Sequence, residues 1–154
     1  MRPLNLLALL VLPVLGLAAS PEEGFETFLD AVYDGDTEAF LSCLSQGNRD
    51  QLDMLVMMIR LSPQEAAEQL SSQLGQELPP EEIEQWTSLD LVELILNSQQ
   101  LRGNLPARSD VLVVRCETSG DSATVYLSVS EAEEEFPLLM VLEEEVWKLG
   151  ESFL

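Results

Sequence analysis

The stretch ATVYLSVS, residues 123–130, decides the fold class. Ala123, Val125, Leu127 and Val129 fall on one face; Thr124, Tyr126, Ser128 and Ser130 fall on the other. That period of two is the mark of a strand in a sheet with one buried face. Working outward, the valine-rich residues 110–118 read as the preceding strand, joined through the turn SGDS at 119–122. Residues 136–142 and 146–153 read as a third and a fourth strand. Connections this short favour an antiparallel meander.

Before residue 109 the apolar period is near four, which is helical. Ser20-Pro21-Glu22-Glu23 has the form of a capping box with proline at the first helical position, followed by Phe25, Phe28, Leu29 and Val32. Asp34-Gly35 stops that helix, and Asp36 caps a short second one with Phe40, Cys43 and Leu44 inward. Asn48 with Gln51 reads as the cap of a third helix, striped by Leu52, Leu55, Val56 and Ile59 and widened by Met54, Met57 and Met58. Ser62-Pro63-Gln64-Glu65 opens a fourth, closed by Gly75. Leu78-Pro79-Pro80 is a breaker, 81–86 a turn or two of helix, and Ser88 the cap of a further helix with Leu89, Val92, Ile95 and Leu96. Residues 99–109, with Gly103 and Pro106, read as a loop. Helices first and strands second is the α+β order. The expectation is N-terminal helices on one face of a C-terminal four-stranded antiparallel sheet.

The segment FLDAVYDGD at 28–36, followed by Phe40-Leu41 and Leu44-Ser45, resembles the opening of the nuclear-transport-factor-2-like superfamily in its secreted branch. The charged turn and Trp-Lys-aliphatic ending of VLEEEVWKL, 141–149, resemble that family's closing hairpin. The resemblance implies a curved sheet wrapping a long helix to form a cone. Its members include isomerases, dehydratases, polyketide cyclases and binding or assembly modules without activity, and they often dimerise through the outer face of the sheet. Fold alone does not choose among these.

Residues 1–19 read as a secretory signal peptide: Arg2, then an apolar run from Leu4 to Leu17, then small residues at Ala18-Ala19. The run is too short to span a bilayer comfortably. Cleavage there leaves a single domain, 20–154, exported to a periplasm or to the exterior. Export permits a disulfide between Cys43 and Cys116, the alternative being two buried thiols that pack as small hydrophobes.

The chain carries 28 Asp and Glu against 7 Lys and Arg, a net charge of −21, which repels phosphate backbones and anionic membranes alike. Nucleic acid and anionic lipid are therefore excluded as partners. Such charge serves solubility, or adaptation to salt, in which case screening raises the melting temperature.

The chain has no histidine, so a histidine base, Ser-His-Asp and Cys-His pairings are ruled out. Zinc would have two distant cysteines and nothing else. No cofactor is implied. The glutamate runs 133–135 and 143–145 would sit about 23 Å apart along an intervening strand, too far to share a metal ion. The acids at structural transitions are Asp90 and Asp110, and the phenols are Tyr33 and Tyr126. The favoured reading is an exported, non-enzymatic domain binding a protein, a small apolar ligand or a second copy of itself. The alternative is a small isomerase, dehydratase or cyclase with an Asp base and a Tyr in a cone-shaped pocket. The candidate contact residues are Tyr33, Met54, Met57, Met58, Trp86 and Tyr126. The methionine face reads either as a central helix buried on several sides or as an adaptable groove or dimer face. An enzyme would need a mixed pocket with a carboxylate and a phenol converging in it; a binding module needs a filled cone or an apolar one.

Overall fold

The computed structural model describes residues 19–130 and 134–151. The expected signal peptide up to residue 18, Glu133 and the residues from 152 onward lie outside the described residues. The described chain is α+β, helices first: α1 Pro21–Asp34, α2 Thr37–Ser42, α3 Gln46–Leu61, α4 Pro63–Leu74, α5 Pro80–Ile83, α6 Ser88–Leu96 and α7 Gln99–Asn104. A 3₁₀ turn at Arg108–Asp110 leads into β1 Val111–Ser119, β2 Ser122–Val129, β3 Phe136–Glu143 and β4 Val146–Leu149.

The strands form one antiparallel meander in the order β1-β2-β3-β4. In β2, Ala123, Val125 and Leu127 are buried, as the alternation requires, while Val129 is half-buried. Val125 pairs with Cys116 on one side and Leu138 on the other. In β1 a bulge makes Val114 an extra residue between the pairs Val113–Leu127 and Arg115–Tyr126. The bulge resets the alternation, so Val113 and Cys116 both pack on the core side while Arg115 joins Tyr126 on the outer face. Glu144 and Glu145 make the two-residue turn to β4 at φ 51° and 64°, the positive values such hairpins need.

The capping box of α1 forms as the sequence indicates: Ser20 Oγ accepts from Glu23 N at 3.2 Å, and the Glu23 carboxylate accepts from Ser20 N at 3.0 Å. Gly35, at φ 69°, ends the helix. α1 lies across the inner face of the sheet, against β1, β2 and β4. Gly24 allows the approach, because a Cβ there would stand 2.8 Å from Trp147 O. Phe25, Val125, Met140 and Leu149 are fully buried in this layer.

Four readings of the sequence need correction. First, Asn48 does not cap α3. Ser45 does, accepting from Asn48 N at 3.2 Å, and the helix begins at Gln46. Asn48 is instead fully buried, donating from Nδ2 to Leu149 O at 2.9 Å and Gly150 O at 2.7 Å. The amide thus ties the start of α3 to the end of β4, where Leu149 O also accepts from Ser45 N at 2.9 Å. Second, Thr87 rather than Ser88 caps α6, with Asp90 turned back onto it. Third, the expected loop 99–109 contains α7, because Ser98 Oγ accepts from Leu101 N at 3.2 Å and starts a turn of helix before Gly103. Fourth, Cys43 and Cys116 are unbonded thiols. Cys43 follows α2, where its carbonyl accepts from Leu149 N of β4, while Cys116 lies on β1 at the opposite edge. Three strand spacings separate the edges by roughly 14 Å, beyond the reach of a disulfide.

Candidate functional site

α1 packs closely on the sheet at Gly24, against Trp147 and Met140. A wholly apolar cavity lies on the side of α1 facing the other helices, where Phe28, Leu29, Phe40, Leu44, Leu52 and Val92 line a volume of about 370 Å³. Its remaining wall comes from Ile95, Leu96, Leu101, Leu105, Pro106 and Val111, with Val32 and Tyr33. No polar atom contributes to the exposed lining. Local sequence explains why. α1 carries apolar residues on two faces, and Leu101 and Leu105 stand one helical turn apart in an otherwise polar stretch.

Polar groups occur around this pocket and are engaged elsewhere. Tyr33 Oη donates to Pro106 O at 2.8 Å, closing the strap of residues 105–110 onto α1. Arg102 Nη1 donates to Tyr33 O at 2.6 Å. Arg108 lies 5.9 Å from the Tyr33 ring centroid and pairs with Glu26 and, at 3.4 Å, with Asp30. These contacts hold α7 and the strap to α1 from outside the apolar lining.

Neither candidate acid lines the pocket. Asp90 Oδ2 accepts from Thr87 N and from Thr87 Oγ1, each at 2.7 Å. The Thr87 hydroxyl first, and then its backbone N–H, hold the Asp90 carboxyl below its ordinary value. Asp110 ends the 3₁₀ turn, where its carbonyl accepts from Ser130 N at 3.0 Å. Tyr126 is on the outer sheet face, with the Arg115 guanidinium 3.4 Å from its ring centroid and its hydroxyl 3.3 Å from Glu117 Oε2. Trp86 is buried, its edge bordering a shallow recess with Glu81, Glu82, Gln85 and Asp90. Burial pushes both thiols up, most directly at Cys43, and at Cys116 the neighbouring Glu22 and Glu117 add to it.

Of the six candidate contact residues, Tyr33 alone joins the pocket. The methionines do not, and they are not buried either: Met54, Met57 and Met58 are 59%, 57% and 54% exposed. That corrects the reading of α3 as a helix buried on several sides. Its core stripe is narrow, Leu52 and Val56 with half-buried Ile59, because no described residue covers the far side. The pocket wall from residues 96–106 escaped the sequence reading, and the Leu101–Leu105 spacing was its one local signal.

Among the described residues there is no cluster of three or more acids, cysteines or histidines able to hold a metal ion, and no helix long and apolar enough to cross a membrane. Glu143 instead accepts from Gln46 N at 3.0 Å, satisfying the first turn of α3. Comparison with known protein families, with curated proteins and with solved structures found no match.

Proposed function

We propose that this protein is an exported, non-enzymatic binding domain whose pocket takes one small, uncharged apolar molecule. The observation that carries the reading is the chemistry of the wall. A site lined only by hydrocarbon binds by removing apolar surface from water, and burying a charge or an unpartnered polar group there is costly. Acid–base chemistry needs a titratable group within hydrogen-bond reach of the reacting atom, and Asp90 and Asp110 do not line the cavity. Membership of the nuclear-transport-factor-2-like superfamily is part of the same proposal. The helix–break–short helix opening and the closing hairpin support it, with the difference that the apolar cavity lies between α1 and the other helices.

The test is a thermal-shift screen against apolar metabolites, neutral lipids and their charged analogues. A ligand at 100 times its dissociation constant adds about 2.7 kcal/mol, a shift on the order of 10 °C for a chain of this size. Neutral apolar compounds should raise the melting temperature and their charged analogues should not. Shifts confined to polar or anionic compounds would overturn the reading.

A further inference from the structure

α3 carries two apolar stripes. Leu52, Val56 and Ile59 face the core. Met54, Met57, Met58 and Leu61 stand at i, i+3, i+4 and i+7 on the solvent side, Leu61 being 77% exposed. One stripe is accounted for by the fold. The second has the spacing of a helix-docking seam, and no described residue covers it. Three of its four side chains are methionines, which repack against differently shaped partners.

The ground around the stripe is acidic and shaped. Asp50 and Asp53 stand four residues before Met54 and Met57, one turn away on the helix. Met57 and Leu61 share a recess with Arg60, Pro63, Gln64 and Glu84. The recess holds one cation, Arg60, whose Nε is drawn onto Glu84 O at 2.8 Å. Ser88 Oγ bonds Asp53, which fixes the start of α6, with Asp90 behind it, against α3.

We propose that this face of α3 docks a positively charged amphipathic helix of a partner protein. Apolar residues of the partner would lie along the methionine stripe, and its Lys and Arg would meet Asp50, Asp53 and Glu84. A second copy of the chain would bring another −21 to the contact and be repelled. Leu52, on the opposite side of the same helix, lines the ligand pocket, so this proposal and the preceding one can fail separately.

The experiment is fluorescence anisotropy with three labelled synthetic helices of equal length: a leucine stripe on a Lys/Arg face, the same stripe on a Glu face, and the Lys/Arg face with serines in place of the leucines. Each is titrated with the protein and with the double variant Met57→Ser, Met58→Ser, whose exposed positions leave the core intact, as circular dichroism would verify. The first helix should bind, lose affinity with added salt, and weaken roughly tenfold against the double variant. The other two should bind far more weakly. Equal binding to protein and variant would mean that charge alone attracts the peptide, and equal binding of the two leucine helices would mean that charge does not select. Light scattering that finds a dimer dissolved by the double variant would give the face to a second copy. Any of the three overturns the proposal.

Discussion

α1 has two apolar sides and two very different neighbours. Toward the sheet, Gly24 and Phe25 meet Trp147 and Met140 with no space to spare. Toward the other helices, Phe28, Leu29, Val32 and Tyr33 face a cavity of about 370 Å³. The side chains are of one kind; the partners differ. A sheet is a continuous hydrogen-bonded surface at fixed spacing, and a helix laid on it must close the gap. The opposing wall is partly buried core, Leu44, Leu52, Val92 and Leu96, and is completed by Leu101, Leu105 and Pro106 of α7 and the strap, which contain no buried residue of their own and are held by a few polar tethers. An apolar face thus makes a core where its partner is rigid and a binding site where its partner is short and tethered.

The largest test of that contrast is truncation on each side. Phe25→Ala should cost about 3–5 kcal/mol in urea unfolding, because Phe25 is fully enclosed and the sheet cannot collapse into the void. Val32→Ala, half-buried on the pocket side, should cost under about 1.5 kcal/mol, since its methyl groups already border open space. Equal costs would break the comparison.

Glycine-to-alanine changes sharpen it by giving opposite signs. At Gly24 the added Cβ meets Trp147 O at 2.8 Å and Trp147 Cβ at 2.9 Å, and the carbonyl cannot move without moving β4. Overpacking should outweigh the helix-propensity gain and destabilise by about 1–3 kcal/mol. At Gly103 in α7 nothing lies within 4 Å, and alanine should stabilise by about 0.5–1 kcal/mol. Denaturation midpoints of the two variants, moving in opposite directions, are the measurement.

A smaller effect on stability carries a large effect on binding. Leu105→Trp places a bulkier ring at the edge of the cavity, where there is room for it. Its unfolding free energy should stay within about 1 kcal/mol of the parent, well below the Gly24→Ala cost. The thermal shift given by apolar compounds should disappear. Retention of that shift would place the ligand elsewhere.

How far the sequence carried follows the same division. The sheet was legible in ATVYLSVS because a period of two is a local property, and the antiparallel order followed from short turns. The bulge at Val114 was not legible, since it is set by how β1 must bring both Val113 and Cys116 to the core side. Asn48 has the composition of a cap, and its real partners are carbonyls more than a hundred residues away. The methionines of α3 are apolar by type, and only tertiary packing decides that they face solvent. Least legible was the pocket, because a cavity is a volume that several elements decline to fill. Leu101 and Leu105 marked its edge, but Gly103 and Pro106 nearby signalled a loop.

The smallest prediction concerns Asp90, which separates a carboxylate used for structure from one used for chemistry. Its two hydrogen bonds from Thr87 exist only in the folded chain, and they hold its pKa below the ordinary value of about 3.9. A carboxyl with a depressed folded pKa stabilises fully above its unfolded pKa and loses that contribution as pH falls through the folded one. Asp90→Asn should therefore be less stable than the parent near pH 6, by about 0.5 kcal/mol for a solvent-screened cap, and the difference should shrink as pH falls below the ordinary carboxylate range. Subtracting the two stability curves removes the titration of the other carboxylates. Binding of apolar ligands should be unchanged by the substitution at every pH where both proteins are folded. If ligand binding instead followed the Asp90 titration, the carboxylate would be acting on the pocket, and the enzyme reading would regain its base.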